Sequence, residues 1–196
     1  GITQSQCQSQ GCCWSPVSPN PDNLPYCFHS NPIVEGYQVV SQSTTATGAS
    51  LNLTVLDAQN QQQYGTPITN LAVQVDYVSS STLHVKISDA SSDRWEVPEW
   101  LIPRPNTTTS SPDYDFTYTS SPFGFAVTRK SDNSVIFNTT VPRTGTWNGL
   151  QFKDQFLSIS TQLDSNSNLY GLQESTQSAG FKLTQKTYTL WNHDTP

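Results

Sequence analysis

The stretch LAVQVDYVSSSTLHVKISDA, residues 71–90, decides the fold, because two alternating runs meet across a short polar break. Leu71, Val73, Val75 and Tyr77 share one face of the first run; Leu83, Val85 and Ile87 share one face of the second. Successive side chains of a strand point to opposite sides, so each run offers one face to a core and the other to water. Val78 to Thr82, VSSST, reads as a hairpin loop, and the two runs are expected to pair directly.

Outward from this hairpin the same pattern repeats. GYQVVSQ, ASLNLTVLDA, DFTYTS, GFAVTRK, SVIFNTT and QFLSISTQL are short alternating runs. Clusters of Gly, Asn, Asp, Ser and Pro separate them at about 10-residue spacing, which predicts an all-β, antiparallel β-sandwich. No helical period and no internal repeat are found. The longest irregular stretch, Glu96 to Asp113, holds four prolines and follows Trp95. A loop this long is commonly functional, docked against a neighbour, or disordered, and Trp95 and Trp100 predict docking at its start.

At 196 residues the chain suits one main domain and one satellite. It is 34% hydrophobic and 11% aromatic but only 12% charged, which argues against disorder. The net charge of -6, with nine scattered basic residues, leaves no footprint for nucleic acid or an anionic membrane. No apolar run nears the roughly 20 residues of a membrane span.

The cysteines, at 7, 12, 13 and 27, confine the satellite to residues 1–31, with the sandwich assigned to 32–196. Such clustering fits a disulfide-held unit in an oxidising compartment. Four cysteines allow three pairings, and bonding Cys12 to Cys13 would strain the ring, so pairings that split the doublet are favoured. Asn52, Asn106 and Asn138 each open an N-glycosylation acceptor triplet. With no signal peptide in view, the expectation is a mature secreted chain.

Chemistry-bearing residues are sparse. His29, His84 and His193 are isolated, the cysteines lack zinc spacing, and no metal or cofactor is expected. His84 falls on the polar face of a strand and reads as a surface residue. Asp89 with Asp93, and Asp113 with Asp115, flank turns where short polar side chains belong. Glu174 and Asp194 lie near aromatic sequence, on either side of one predicted strand ending at Trp191.

Two resemblances add to this. The spacing C-x4-C-C-W-x-P, followed by Tyr26-Cys27-Phe28, resembles the second half of a P-type, or trefoil, module. That resemblance implies a Cys7–Cys27 bond and leaves Cys12 and Cys13 to two upstream cysteines that this sequence does not contain. Further on, NLYGLQEST at 168–176, FKL at 181–183 and YTLWNHDTP at 188–196 resemble the end of the N-terminal β-sandwich of glycoside hydrolase family 31 α-glucosidases. YGTPITNLAVQVDY, STLHVKISDASSDRWEVPEWLIPRP, SPFGFAVTRKSDNSVIFNTT and QFKDQFLSISTQL agree in order and spacing. The departures are Gln173, where the family usually has Gly, and His193, where it usually has Arg.

The family resemblance implies a retaining α-glucosidase acting on maltose-like oligosaccharides. Its catalytic aspartates would lie on a (β/α)8 barrel after the sandwich, so this chain alone would be inactive. The expected partner is a C-terminal catalytic barrel chain, cut from the same precursor. Asp194, helped by His193, would contact the α-gluco-oligosaccharide at the active-site mouth without catalysing. An α-xylosidase would change only the substrate; a stand-alone carbohydrate-binding or trefoil-type interaction module is the non-enzymatic alternative.

Overall fold

The computed structural model describes residues 1–10, 12–28, 36–58, 61, 64–140, 149–163, 167–171, 182–183 and 187. It divides into two compact units, Gly1–Gln162 and Leu163–Pro196.

The first unit opens with a helix, α1 (Gln4–Ser9), that periodicity does not predict. Six residues are too few to show a period, yet Thr3-x-x-Gln6 is a readable capping box. Thr3 Oγ1 accepts from the Gln6 amide at 3.2 Å, and Gln6 Oε1 accepts from the Thr3 amide at 2.9 Å. A small ribbon follows, β1 (Cys13–Trp14) against β2 (Cys27–Phe28). The Cys7–Cys27 disulfide ties helix to ribbon, and Cys7 is fully buried. Trp14 meets Tyr26 edge-on at 5.8 Å, so disulfide and aromatic contacts form much of this small core.

The main sheet has four strands in sequential order: β3 (Tyr37–Thr45), β4 (Gly48–Val55), β5 (Asn70–Ser79) and β6 (Thr82–Asp89). The quoted stretch is the β5–β6 hairpin. Val73 faces Ile87, Val75 faces Val85, and Tyr77 faces Leu83. The strands run further than the polar break suggests, with Ser79 already paired to Thr82 and a register shift at Val78. Leu71, Val73 and Val75 are essentially inaccessible to water. Leu83, Val85 and Ile87 pack on the same core but remain partly buried, because β6 is an edge strand. In β3 the register skips between Val39 and Ser41, a bulge that leaves Val40 58% exposed despite its apolar side chain. Gly48 opens β4 where a Cβ would stand 2.0 Å from the Val75 carbonyl oxygen, so no larger residue fits.

The second sheet is β7 (Tyr114–Ser120), β8 (Phe123–Arg129) and β9 (Val135–Asn138). Phe125 lies 5.5 Å from Phe116 and 5.2 Å from Phe137, both stacked, and all three join the core. That core also holds Tyr37, Leu51, Leu53, Leu71, Val73 and Val75 from the first sheet, so the two sheets share one interior, as a sandwich must. Each such side chain contributes about 1.5–3 kcal/mol by leaving water.

The run QFLSISTQL does not form the full strand its alternation predicts. Only Leu157–Ser158 (β11) pairs, with Gln151–Phe152 (β10). Leu157 and Ile159 are 60% and 50% exposed, so this alternation finds no described core to face. The segment is held instead by single bonds beside β9: the Gln162 amide donates to the Asn138 carbonyl at 2.7 Å, and the Asn138 amide to Thr161 Oγ1 at 2.9 Å.

Within the second unit, Tyr170 and Lys182 form an antiparallel bridge and the Leu183 amide donates to the Leu169 carbonyl at 2.8 Å. The predicted strand from Thr187 to Trp191 lies almost wholly outside the described residues.

Candidate functional site

Asp194 and His193, the predicted substrate-contacting pair, lie outside the described residues, as do Glu174 and His29. The remaining sequence candidates serve structure. His84 is exposed on the outer face of β6, its Nδ1 3.9 Å from Asp76 Oδ2. Asp76 Oδ1 accepts from Gln74 at 2.9 Å, and Gln74 Oε1 accepts from Ser50 at 2.8 Å, so His84 ends a row of solvated polar groups. Asp89 accepts the Ser91 amide at 2.8 Å, a turn contact, and Asp115 lies 3.5 Å from Lys130 Nζ. Neither carboxylate is held for acid–base work. Among the described residues no three His, Cys, Asp or Glu side chains gather as a metal site. Cys12 and Cys13 are both half-buried.

The acceptor asparagines occupy three settings. Asn52 sits on the outer face of β4 and donates to Ser41 Oγ at 2.8 Å. Asn106 is exposed in the long connection. Asn138 ends β9 half-buried, its Oδ1 accepting from the Thr140 amide at 2.9 Å and hydroxyl at 2.7 Å. Those bonds use the oxygen of Asn138 and leave its Nδ2, the atom a glycan would take, out of the turn.

A buried polar joint, which no sequence signal marks, organises one end of the sandwich. The Tyr37 hydroxyl shares its proton between the carbonyls of Ile68 at 2.7 Å and Phe152 at 3.1 Å. Burial, followed by the charge of Asp89, pushes that hydroxyl far above its usual pKa and keeps it a donor. Lys153 is 1% exposed and donates from Nζ to the Gln61 carbonyl, while Gln61 Oε1 accepts from the Gly36 amide at 3.2 Å. Arg94 covers this joint, its guanidinium 4.9 Å from the Phe152 ring centroid and bonded to the carbonyls of Lys153 and Asp154 at 2.9 and 3.1 Å. In sequence Lys153 is an ordinary polar position between two phenylalanines.

Among the described residues of the first unit, two clefts can be placed. One of 440 Å³ is lined by Leu83, Val85, Tyr114, Phe125, Val127 and Phe137, with Ser81 and Thr82 beside them, and it is mostly apolar. The other, of 350 Å³, lies on the cysteine module between Trp14, Leu24 and Tyr26. The Asn20 side chain beside it is already bonded to the Leu24 backbone at 2.9 and 2.8 Å.

The connection from Ala90 to Asp113 does not dock its tryptophans on the described part of this chain. Trp95 and Trp100 stand 82% and 83% exposed, and Leu101 and Ile102 beside them are 60% and 59% exposed. The same stretch carries an exposed ion cluster: Arg104 reaches Glu96 at 2.9 Å and Glu99 at 3.3 Å, and Lys86 of β6 also bonds Glu96. The Glu96 carboxyl is held below its usual range, first by the Lys86 hydrogen bond, which with the charges of Lys86 and Arg104 outweighs an opposing desolvation.

A disulfide-tied ribbon and helix ahead of an antiparallel sandwich define the class: a P-type module with a β-sandwich. Residues 1–30 match the trefoil (P-type) domain family. The chain is 35% identical over 200 residues to the lysosomal alpha-glucosidase of Mus musculus, covering 100% of this chain and 20% of that protein. It is 37% identical over 181 residues to Alpha-xylosidase 1 of Arabidopsis thaliana, covering 83% of this chain and 19% of that protein. The alpha-glucosidase of Mucor javanicus is 35% identical over 163 residues, covering 78% and 18%.

Along its full length, therefore, the chain is homologous to the N-terminal trefoil-like module and β-sandwich of the glycoside hydrolase family 31 α-glucosidases. It spans about a fifth of the length of these relatives. Homology confined to that fifth supports an N-terminal, non-catalytic part of such an enzyme.

Proposed function

We propose that this chain is the non-catalytic N-terminal subunit of a secreted, retaining α-glucosidase that releases terminal α-linked glucose from maltose-like oligosaccharides. The observation that carries the reading is the match to lysosomal alpha-glucosidase across 100% of this chain and 20% of the relative. A catalytic barrel from the same precursor supplies the chemistry, and Asp194, with His193 beside it, contacts the sugar that leaves. An ionised carboxylate suits that contact because it only accepts, and can take two hydroxyls at once. His193 offers a neutral or titrating imidazole where the family has the fixed fork of an arginine, so its contact is weaker and more sensitive to pH. Residues 1–31 are a separate module from the sandwich, and Asn52, Asn106 and Asn138 are the glycan acceptors of a chain that passes through the secretory route.

The 37% identity to Alpha-xylosidase 1 favours one second reading, in which an α-linked xylose replaces glucose and the architecture is unchanged.

The test is hydrolysis by the native preparation, with Asp194→Ala as the informative variant. Turnover of maltose should fall roughly ten-fold to a few hundred-fold, the loss of one or two charge-assisted bonds of about 1.5–3 kcal/mol each. An activated aryl glucoside, whose leaving group lacks such hydroxyls, should lose less. Equal losses would remove Asp194 from the leaving-group position, release of xylose alone would select the second reading, and a preparation hydrolysing no α-glycoside would overturn both.

A further inference from the structure

The connection between the sheets, Ala90 to Asp113, is tied down at both ends. The Ala90 amide donates to the Asn70 carbonyl at 3.1 Å; the Thr109 and Asp113 amides donate to the carbonyls of Tyr77 and Ser80, each at 2.7 Å. Its middle is fixed as well. The Leu101 and Ile102 amides turn back to the Pro98 carbonyl at 3.0 and 3.1 Å, and Arg104 bonds the Val97 carbonyl at 3.0 Å besides Glu96 and Glu99. A peptide this well held is not fraying. It is braced, and it displays Trp95, Trp100, Leu101 and Ile102 to solvent.

We propose that this braced knuckle, Trp95 to Ile102, is the surface by which the chain seats against the catalytic remainder of its own precursor. The inference rests on the subunit reading above. Its charges compensate locally, Glu96 and Glu99 against Lys86 and Arg104, so the knuckle carries no net charge to recruit nucleic acid or another polyion. The two tryptophans alone can bury about 300–500 Å². That is a large share of the roughly 800 Å² each partner gives to a stable interface. Aromatic anchors of this kind dominate the energy of such interfaces.

The occupant follows from length and stoichiometry. All of this chain matches only 20% of the relative, and on the subunit reading the remaining, several times larger polypeptide comes from the same precursor at fixed ratio. A permanent partner of that kind covers an apolar knuckle at all times, whereas an occasional ligand would leave it exposed and prone to aggregation.

The experiment uses the recombinant full precursor, tagged on this chain, with the larger chain scored by native mass spectrometry after a high-salt wash. Three variants are compared: Trp95→Ser/Trp100→Ser, Leu101→Ser/Ile102→Ser, and, as a control on an exposed strand residue remote in sequence, Val135→Ser, which is 57% exposed. All three should retain the circular dichroism of the parent, because the replaced side chains are mostly in water. Both knuckle variants should retain the larger chain at least ten-fold less well, and the control should retain it fully. Undiminished retention in the knuckle variants would overturn the seating surface and leave the subunit reading intact. If the parent itself carries no larger chain, the subunit reading fails; doubling of mass, or maltoheptaose binding, lost with the tryptophans would then assign the knuckle to a second copy or to a sugar and overturn the proposal.

Discussion

The β5–β6 hairpin and the Ala90–Asp113 connection follow one another in the chain, yet they dispose of apolar side chains in opposite ways. In the hairpin, Leu71, Val73 and Val75 alternate with Ala72, Gln74 and Asp76, and the odd positions are inaccessible to water. In the connection, Trp100, Leu101 and Ile102 are consecutive, and no strand can turn three neighbours to one face. Pro98, Pro103 and Pro105 also remove the amide donors that a sheet would use. Apolar content therefore does not decide burial here; spacing does. The hairpin satisfies itself, and the connection presents what it cannot bury.

The sharpest contrast is between truncations in the two regions. Phe125→Ala, which empties the centre of the aromatic stack, should destabilise the sandwich by about 3–5 kcal/mol, read as a shift in the denaturant midpoint of the intact protein. Trp100→Ala removes a larger side chain but should change the protection of the β5 and β8 amides by under about 0.5 kcal/mol, since it lies outside the core of this chain. Comparable effects would break the distinction. Gly48→Ala comes next, at about 1–3 kcal/mol, because the added methyl meets backbone that must shift. Thr3→Ala should follow with about 0.5–2 kcal/mol of local helix stability, measured by amide exchange across residues 4–9.

The smallest effect is on pH. Glu96 has a lowered pKa in the folded chain, so its ion cluster stabilises the connection fully above the ordinary carboxylate value of about 4.3 and loses that contribution as pH falls through the lower folded value. Amide exchange at Leu101 and Ile102 should therefore accelerate below about pH 4 in the parent, and Glu96→Gln should remove that dependence. A parent whose exchange there shows no acid step beyond the intrinsic pH trend would contradict the bracing role.

Period-two alternation made both sheets legible from sequence, down to which faces of β5 and β6 are buried. It failed at QFLSISTQL, where Leu157 and Ile159 alternate correctly but have no described layer opposite them. Alternation describes a strand's faces and not the presence of a partner. The bulge at Val40 and the Lys153 joint were equally hidden, because both arise from contacts between segments far apart in the chain. Helix α1 was missed: its cap, Thr3 with Gln6, was the only signal it carried, since six residues span less than two turns and show no period. Of the candidate site, the outer-face position of His84 and the turn work of Asp89 follow from spacing. The assignment of Asp194 and His193 rests on the family motif alone.

The most direct measurement of the central claim is native mass spectrometry of the undenatured protein. A chain of 21.7 kDa, plus any glycans, should be found in a one-to-one complex with a larger chain that hydrolyses α-glucosides. A lone, soluble, cooperatively unfolding monomer of that mass would contradict the account.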